Sequence, residues 1–485
     1  MQLAGREPTD DILGYKPFVD GLRAISIVAV VAYHAGVPGV ESGFIGVDVF
    51  FVISGYLIIS QIVAGLYAGT FSFAGFWARR VLRILPPYLL VVGACVLIAP
   101  LVLVTPAELE EFGREAQYSA LMVVNYYFLA SKGYFDISSE LKPLLHLWSL
   151  AVEEQFYLVA PLILFGLWWF GRRFGRFRSA TWALAIVGVA TVSFAFCVAR
   201  TSGGNSAFFL MPYRAWEFVL GGVIPLLVPA VRRRIPAFFV DLLAVVGAAL
   251  IVGAALRLGE VPYPSYYALL PVAGACLVIL TGLARPENPV ARVLATGPFV
   301  WVGLISYAWY LWHWPLISFA RIHNFGESIA DWRWGAVALS LALAAATHHF
   351  LEVPIKRWRS TKRVRLGWHV TATGVAAAVC ISLVGSAYVH LLAPAVERQL
   401  AAKGLGVDSD WTVLKDPCAI KPQNQELARC FGGGEERPFG ILVGNSHARM
   451  IYGTLNDKAD QLGVELVGLV KVACIPYYPV ASLEG

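Results

Sequence analysis

The stretch PFVDGLRAISIVAVVAYHAGV (17–37) decides the fold. It is long enough to cross a bilayer, which takes about 20 residues. It is not a cleavable signal peptide, because Asp20, Arg23 and His34 interrupt what would be its apolar core. Ten further apolar runs follow, at 44–65, 84–105, 146–170, 180–199, 212–230, 237–256, 266–284, 298–320, 334–354 and 367–392. They are unbroken, which excludes a transmembrane β-barrel built from alternating ten-residue segments. Only 14% of the 485 residues are charged and 58% are hydrophobic. Ordinary soluble domains carry roughly 25% charged residues, so a soluble multidomain enzyme is excluded as well. The sequence predicts an all-α polytopic bundle of about eleven transmembrane helices, multi-pass in the plasma (inner) membrane.

Charge placement orients the bundle. With the N-terminus cytoplasmic, the inside loops hold 20 Lys and Arg in 69 residues and the short outside loops seven in 80. That asymmetry is the positive-inside rule. It accounts for the net charge of +6 without a nucleic-acid partner. Residues 116–131 are too short to span and read as an interfacial or re-entrant helix on the outer face. The predicted organisation is ten spans within 1–366, an eleventh at 367–392, a polar linker at 393–437 and an extracytoplasmic α/β segment at 438–485. Cys418 and Cys430, in this oxidising compartment, are a candidate disulfide, with two free thiols as the alternative. No metal-ligand spacing is present: His348 and His349 are adjacent and point about 100° apart on a helix. The sequence leaves the oligomeric state open.

Ionisable groups inside a bilayer are costly, and function is their default reading. Arg23 and His34 lie on one face of the first span, ~16 Å apart, with Asp20 one turn before Arg23. An Arg–Asp pair alone would be stitching between helices; a histidine deeper on the same stripe suits general-base work. Asp48 opens the second span and reads either as a helix cap or as a group that orients a histidine or binds a sugar hydroxyl. In HLWSLAVEEQFYLV (146–159), His146, Ser149 and Glu153 share a face, as a polar pocket wall or as a hydrogen-bonded structural cluster. In SYAWYLWHWP (306–315), Ser306, Tyr310 and His313 share a face beside Pro315, which bends the helix and opens a cavity. Trp309, Trp312 and Trp314 read as an interfacial belt. Arg214 and Glu217, in PYRAWEF (212–218), read as a simple i,i+3 pair. On the inner face, Arg79, Arg80 and Arg83 form a phosphate-grade patch suited to a nucleotide-bearing anionic donor.

Taken together, Arg23-x10-His34, GVDVFFVISGYLI (46–58), RRVLRILPPY (79–88), WSLAVEEQFY (148–157) and SYAWYLWHWP (306–315) resemble the acyltransferase-3 family of membrane acyltransferases. The resemblance implies an acyl-CoA donor, usually acetyl-CoA, taken from the cytoplasm, with no metal. It implies a hydroxyl of an extracytoplasmic glycan as acceptor, such as lipopolysaccharide O-antigen, peptidoglycan or exopolysaccharide. It maps the family's Arg-x10-His motif onto Arg23 and His34 as catalytic and its cytoplasmic RRxxR patch onto Arg79, Arg80 and Arg83; Asp48 and Glu153 are added to the catalytic set from the residues themselves. Arg79, Arg80 and Arg83 would hold the donor, and His146, Ser149, Ser306, Tyr310 and His313 would line the acceptor pocket. His34 would act as general base or carry the acyl group transiently.

VGNSHA (443–448) is similar to the first block of SGNH-type hydrolases and transferases, with Ser446 at the nucleophile position. Asn445 replaces the usual Asp and no Asp-x-x-His follows, so Ser446 is expected to be inactive in this partial domain. The rival readings are a transporter of acyl groups or glycans without its own chemistry, and a membrane-anchored outside esterase.

Overall fold

The computed structural model describes residues 14–103, 105–130, 137–173, 178–201, 206–259, 261–323, 332–361, 367–402, 439–444 and 465–470. The principal helices are α1 (Pro17–His34), α2 (Gly46–Tyr67), α3 (Phe73–Val102), α4 (Pro106–Ala120), α5 (Val124–Ala130), α6 (Leu147–Arg173), α7 (Arg178–Thr201) and α8 (Met211–Arg234). They continue with α9 (Ala237–Arg257), α10 (Leu269–Ala284), α11 (Gly297–His323), α12 (Arg333–Thr347), α13 (Val353–Thr361), α14 (Gly367–Ala387) and α15 (Ala393–Ala402). Among the described residues nine helical segments are long and apolar enough to cross a membrane, and the chain is a multi-pass membrane protein. The two other expected spans are also helices. One is α7, whose apolar described part is Ile186–Thr201. The other is α11, whose Ser306, Trp309, Tyr310, Trp312, His313 and Trp314 are buried within the protein.

Three boundaries differ from the sequence reading, each for a local reason. The third helix begins at Phe73, eleven residues before the expected 84, because Ser72 caps it by accepting the Gly75 amide. The arginine patch is therefore helical. The single interfacial helix expected at 116–131 is two helices. Thr105 and Glu108 form a capping box that starts α4, and Met122, at φ 56°, separates α4 from α5. Neither is among the spans. The expected linker from 393 begins as helix instead: a π turn at Tyr388–Leu392 carries α14 into α15.

Close backbone approach positions the centre of the bundle. A Cβ on Gly21 would lie 2.0 Å from the Leu294 carbonyl oxygen, and one on Gly303 would lie 1.9 Å from that of Asp20. Gly303 lets α11 run backbone to backbone with α1, and Gly21 lets α1 do the same with the short helix Pro289–Leu294 that precedes α11, as small residues do in membrane bundles. Beyond the helices, strands β1 (Phe439–Gly444) and β2 (Glu465–Val470) pair in parallel, Phe439 opposite Glu465. Cys418, Cys430 and Ser446 lie outside the described residues.

Candidate active site

The packing of α1 on α11 brings the last residue of α1 against the turn that precedes Pro315. His34 Nδ1 lies 2.9 Å from His313 Nε2, and the two rings stack with centroids 5.2 Å apart. Both are buried, at 7% and 0% exposure. His313 Nδ1 in turn lies 2.7 Å from the Tyr310 carbonyl and 3.2 Å from that of Trp309. The Trp314 indole packs edge-on to His34 at 4.5 Å. His146 completes the cluster, its ring 5.8 Å from that of His313. Pro315 has no N–H to give the carbonyl of Leu311, and that carbonyl faces His146. Apart from that carbonyl, the buried ring nitrogens of His146 have no hydrogen-bond partner among the described residues. No group of three His, Cys, Asp or Glu side chains among the described residues is placed to hold a metal ion.

A cavity approaches this cluster from the arginine end. Arg23, Arg80, Arg83, Glu153, Ser54 and Tyr157 line one part, and Ser306, Tyr307, Ser149 and Tyr310 line the other. Arg80 is buried and donates to Gln61 at 3.0 Å, whereas Arg79 and Arg83 are exposed and only Arg83 reaches the cavity wall. Arg23 lies 3.4 Å from Asp20. The Glu153 carboxylate accepts hydrogen bonds from the Ser54 and Tyr157 hydroxyls. Ser306 Oγ is buried in the wall with no partner among the described residues. Tyr310 joins cavity to histidines: it lines the cavity, and its ring lies 5.4 Å from both His146 and His313.

Several residues therefore sit differently from the sequence reading. Ser149, Ser306 and Tyr310 line the arginine-end cavity rather than a separate outer pocket. The Tyr310 hydroxyl donates to the His146 carbonyl at 2.6 Å and bonds Ser149 Oγ at 2.6 Å, tying down the start of α6. Glu153 belongs to the arginine end. Asp48 is in neither place. Arg214 donates to it at 2.8 Å and also contacts Glu217 at 2.6 Å, in a triad whose side chains are at most 1% exposed. The three tryptophans do not form an interfacial belt. Each is buried with its indole N–H satisfied: Trp309 by Ser340 Oγ, Trp312 by Thr347 Oγ1 and Trp314 by the Lys142 carbonyl. Satisfied N–H groups are what let indoles enter a core.

Residues 16–349 match the acyltransferase-3 family, described as an acyltransferase domain. The chain belongs to the acyltransferase-3 family. It is 29% identical over 352 residues to the O-acetyltransferase OatA of Staphylococcus aureus (strain NCTC 8325 / PS 47), covering 71% of this chain and 57% of OatA. It is 30% identical over 356 residues to "Putative peptidoglycan O-acetyltransferase YrhL" of Bacillus subtilis (strain 168), covering 70% of this chain and 55% of that protein. The chain thus spans a little over half the length of the curated relatives it matches. No solved structure matches it. The acyltransferase-3 match takes in both the histidine cluster and the cavity.

Sequence reasoning missed Ser54, Gln61, Tyr157 and Trp314 at this acyltransferase-3 site. Tyr157 lies one turn after Glu153 on the same helix, a spacing that could have flagged it. It also missed the support behind His146. Trp314 bonds the Lys142 carbonyl, Lys142 pairs with Glu111 at 2.7 Å, and Glu115 accepts the Leu144 amide at 3.0 Å. Burial and the nearby Glu111 carboxylate push the Glu115 carboxyl up to about 8, against the pull of Lys142. Between its ordinary 4.5 and about 8, the folded chain keeps a proton that the unfolded chain releases. This contribution is full below that window and is lost as pH rises through it. Glu115→Gln is expected to flatten the fall, read as unfolding temperatures at about pH 5 and about pH 8.5.

Proposed function

We propose that the chain is a membrane O-acetyltransferase. It takes acetyl from acetyl-CoA at the arginine end and passes it to a hydroxyl of an extracytoplasmic glycan at His34, peptidoglycan being the acceptor class that a relative's name supports. The observation that carries this reading is the cavity running from Arg80 and Arg83 past Arg23 to Tyr310, whose ring lies 5.4 Å from those of His146 and His313. Three guanidinium groups and one carboxylate line it, so an anion is favoured there. The excess of Lys and Arg in the loops at that end supports a cytoplasmic position for it.

The chemistry follows from those positions. Arg80 and Arg83 hold the donor phosphates, and the thioester arm lies along the wall toward Tyr310. His34 takes the proton of the acceptor hydroxyl as its oxygen adds to the thioester carbonyl. Collapse breaks the C–S bond, and the proton passes from the imidazolium to the departing thiolate. His146, buried with no ring partner but the Leu311 carbonyl among the described residues, is the group left to hydrogen-bond the acceptor hydroxyl.

Membranes carrying the chain, given labelled acetyl-CoA and glycan, test this. Label in alkali-labile ester on glycan is the expected result. Movement of acetyl groups or glycan across the membrane with no ester formed would make the chain a transporter. On the donor side, Arg80→Ala with Arg83→Ala is expected to raise KM for acetyl-CoA by roughly tenfold or more, since each hydrogen bond to a charged group contributes about 1.5–3 kcal/mol. The same pair should weaken the dependence of KM on salt.

A further inference from the structure

We infer that His313 is a positioning residue: it holds His34 in one tautomer, with the proton on Nδ1 and the basic lone pair on Nε2. The inference rests on the transfer reading for its role in catalysis but not for the tautomer itself. Two atoms around the pair have a fixed hydrogen-bonding sense. The Tyr310 and Trp309 carbonyls can only accept, and both face His313 Nδ1, at 2.7 and 3.2 Å. His313 Nδ1 therefore carries a proton. A neutral imidazole has one N–H, so its lone pair is on Nε2. That lone pair lies 2.9 Å from His34 Nδ1, which must then donate. The remaining nitrogen of His34, Nε2, holds the lone pair that can accept a proton from a hydroxyl.

The neutral form of His313 follows from its setting. The ring is wholly buried, and burying an isolated charge is costly. The groups packed around the pair are the rings of Tyr33, His146, Tyr310 and Trp314. The nearest cation is Arg321, which donates to the His34 backbone carbonyl at 3.3 Å and pairs with Glu140 at 2.8 Å. Among the described residues no carboxylate is hydrogen-bonded or ion-paired to His313 to offset a second cation there. The pair is the base-and-orienter arrangement of nucleophilic catalysis, with a neutral imidazole as orienter. As His34 gains a proton, its bond to His313 becomes charge-assisted and strengthens. His313 thus acts through His34 and not as a wall of the acceptor pocket.

The test compares His313→Gln, whose amide oxygen can replace Nε2 as acceptor, with His313→Leu, which cannot accept. His313→Leu is expected to lower kcat by roughly 10²- to 10⁴-fold with KM for the acceptor changed little. His313→Gln should restore kcat to within about tenfold of wild type. In a His34→Ala background, His313→Leu should cost nothing further, as expected of residues that act as one unit. A rise in acceptor KM with kcat intact would make His313 a pocket residue and overturn the inference, as would full activity in His313→Leu. Solid-state nitrogen NMR of histidine-labelled protein in bilayers gives a readout independent of turnover, with His34→Ala assigning the signal. Wild type should show His34 protonated at Nδ1 only, and His313→Leu should lose that preference. A His34 protonated at Nε2 in wild type would overturn the inference even if transfer is robust. Nδ1 protonation without any transfer would leave the tautomer standing and fail the function reading instead.

Discussion

His34→Ala is expected to fold, insert and bind acetyl-CoA as wild type does, and to lose transfer by roughly 10²- to 10⁴-fold. The chain invests unusual structure in this one ring. It ends α1, which packs backbone to backbone on α11 at Gly303, and it stacks on His313 beside Trp314. Removing the imidazole leaves His313 buried without its donor but introduces no charge, so the fold should survive. The measurement is label transfer to glycan with the amount of folded protein set equal by size-exclusion profile. Transfer unchanged in a folded His34→Ala would keep the enzyme and remove His34 from its mechanism.

The second large effect concerns stability. Asp48, Arg214 and Glu217 form a wholly buried triad joining the starts of α2 and α8. Gly55 and Gly221 bring the same two helices into backbone contact: added Cβ atoms would lie 2.0 and 2.1 Å from the carbonyl oxygens of Phe218 and Val52. Arg214→Met leaves two carboxylates with no cation in the bundle interior. Removing one partner of a buried ion pair costs about 3–5 kcal/mol. The variant is expected to shift the denaturant midpoint strongly or to fail to accumulate. The neutral combination Asp48→Asn, Arg214→Met, Glu217→Gln should recover most of that loss, because the penalty comes from unpaired charge rather than lost packing. An Arg214→Met variant as stable as wild type would show that the triad carries no net stabilising interaction.

These two sites show how far the sequence is legible. Span positions were readable because hydropathy reports whether a segment faces lipid or water, and every expected span coincides with a helix. The shared face of Arg23 and His34 was readable because helical spacing is local. The partnership of His34 with His313, 279 residues away, was not. In a bilayer both the lipid face and the core face of a helix are apolar, so periodicity does not say which helices touch. The same gap hid the reach of Arg214 across to Asp48, leaving only its local pair with Glu217 visible. The aromatic run Trp309 to Trp314 misled for a related reason: tryptophan is favoured both at membrane interfaces and in cores that satisfy its N–H, and only Ser340, Thr347 and the Lys142 carbonyl distinguish the two. The arginine patch was legible as chemistry but not as geometry: its helix starts early, which buries Arg80 and leaves Arg79 outside the cavity wall.

The central claim is that donor and acceptor meet at one site from opposite faces of the membrane. Sealed vesicles containing the chain in a single orientation test it directly. Labelled acetyl-CoA is confined to the arginine face and a glycan acceptor to the other. Acetyl ester is expected on the acceptor only in this arrangement, with none when the donor is moved to the opposite face. Ester formed only when donor and acceptor share a face would contradict it, and so would acetyl or glycan crossing the membrane with no ester formed.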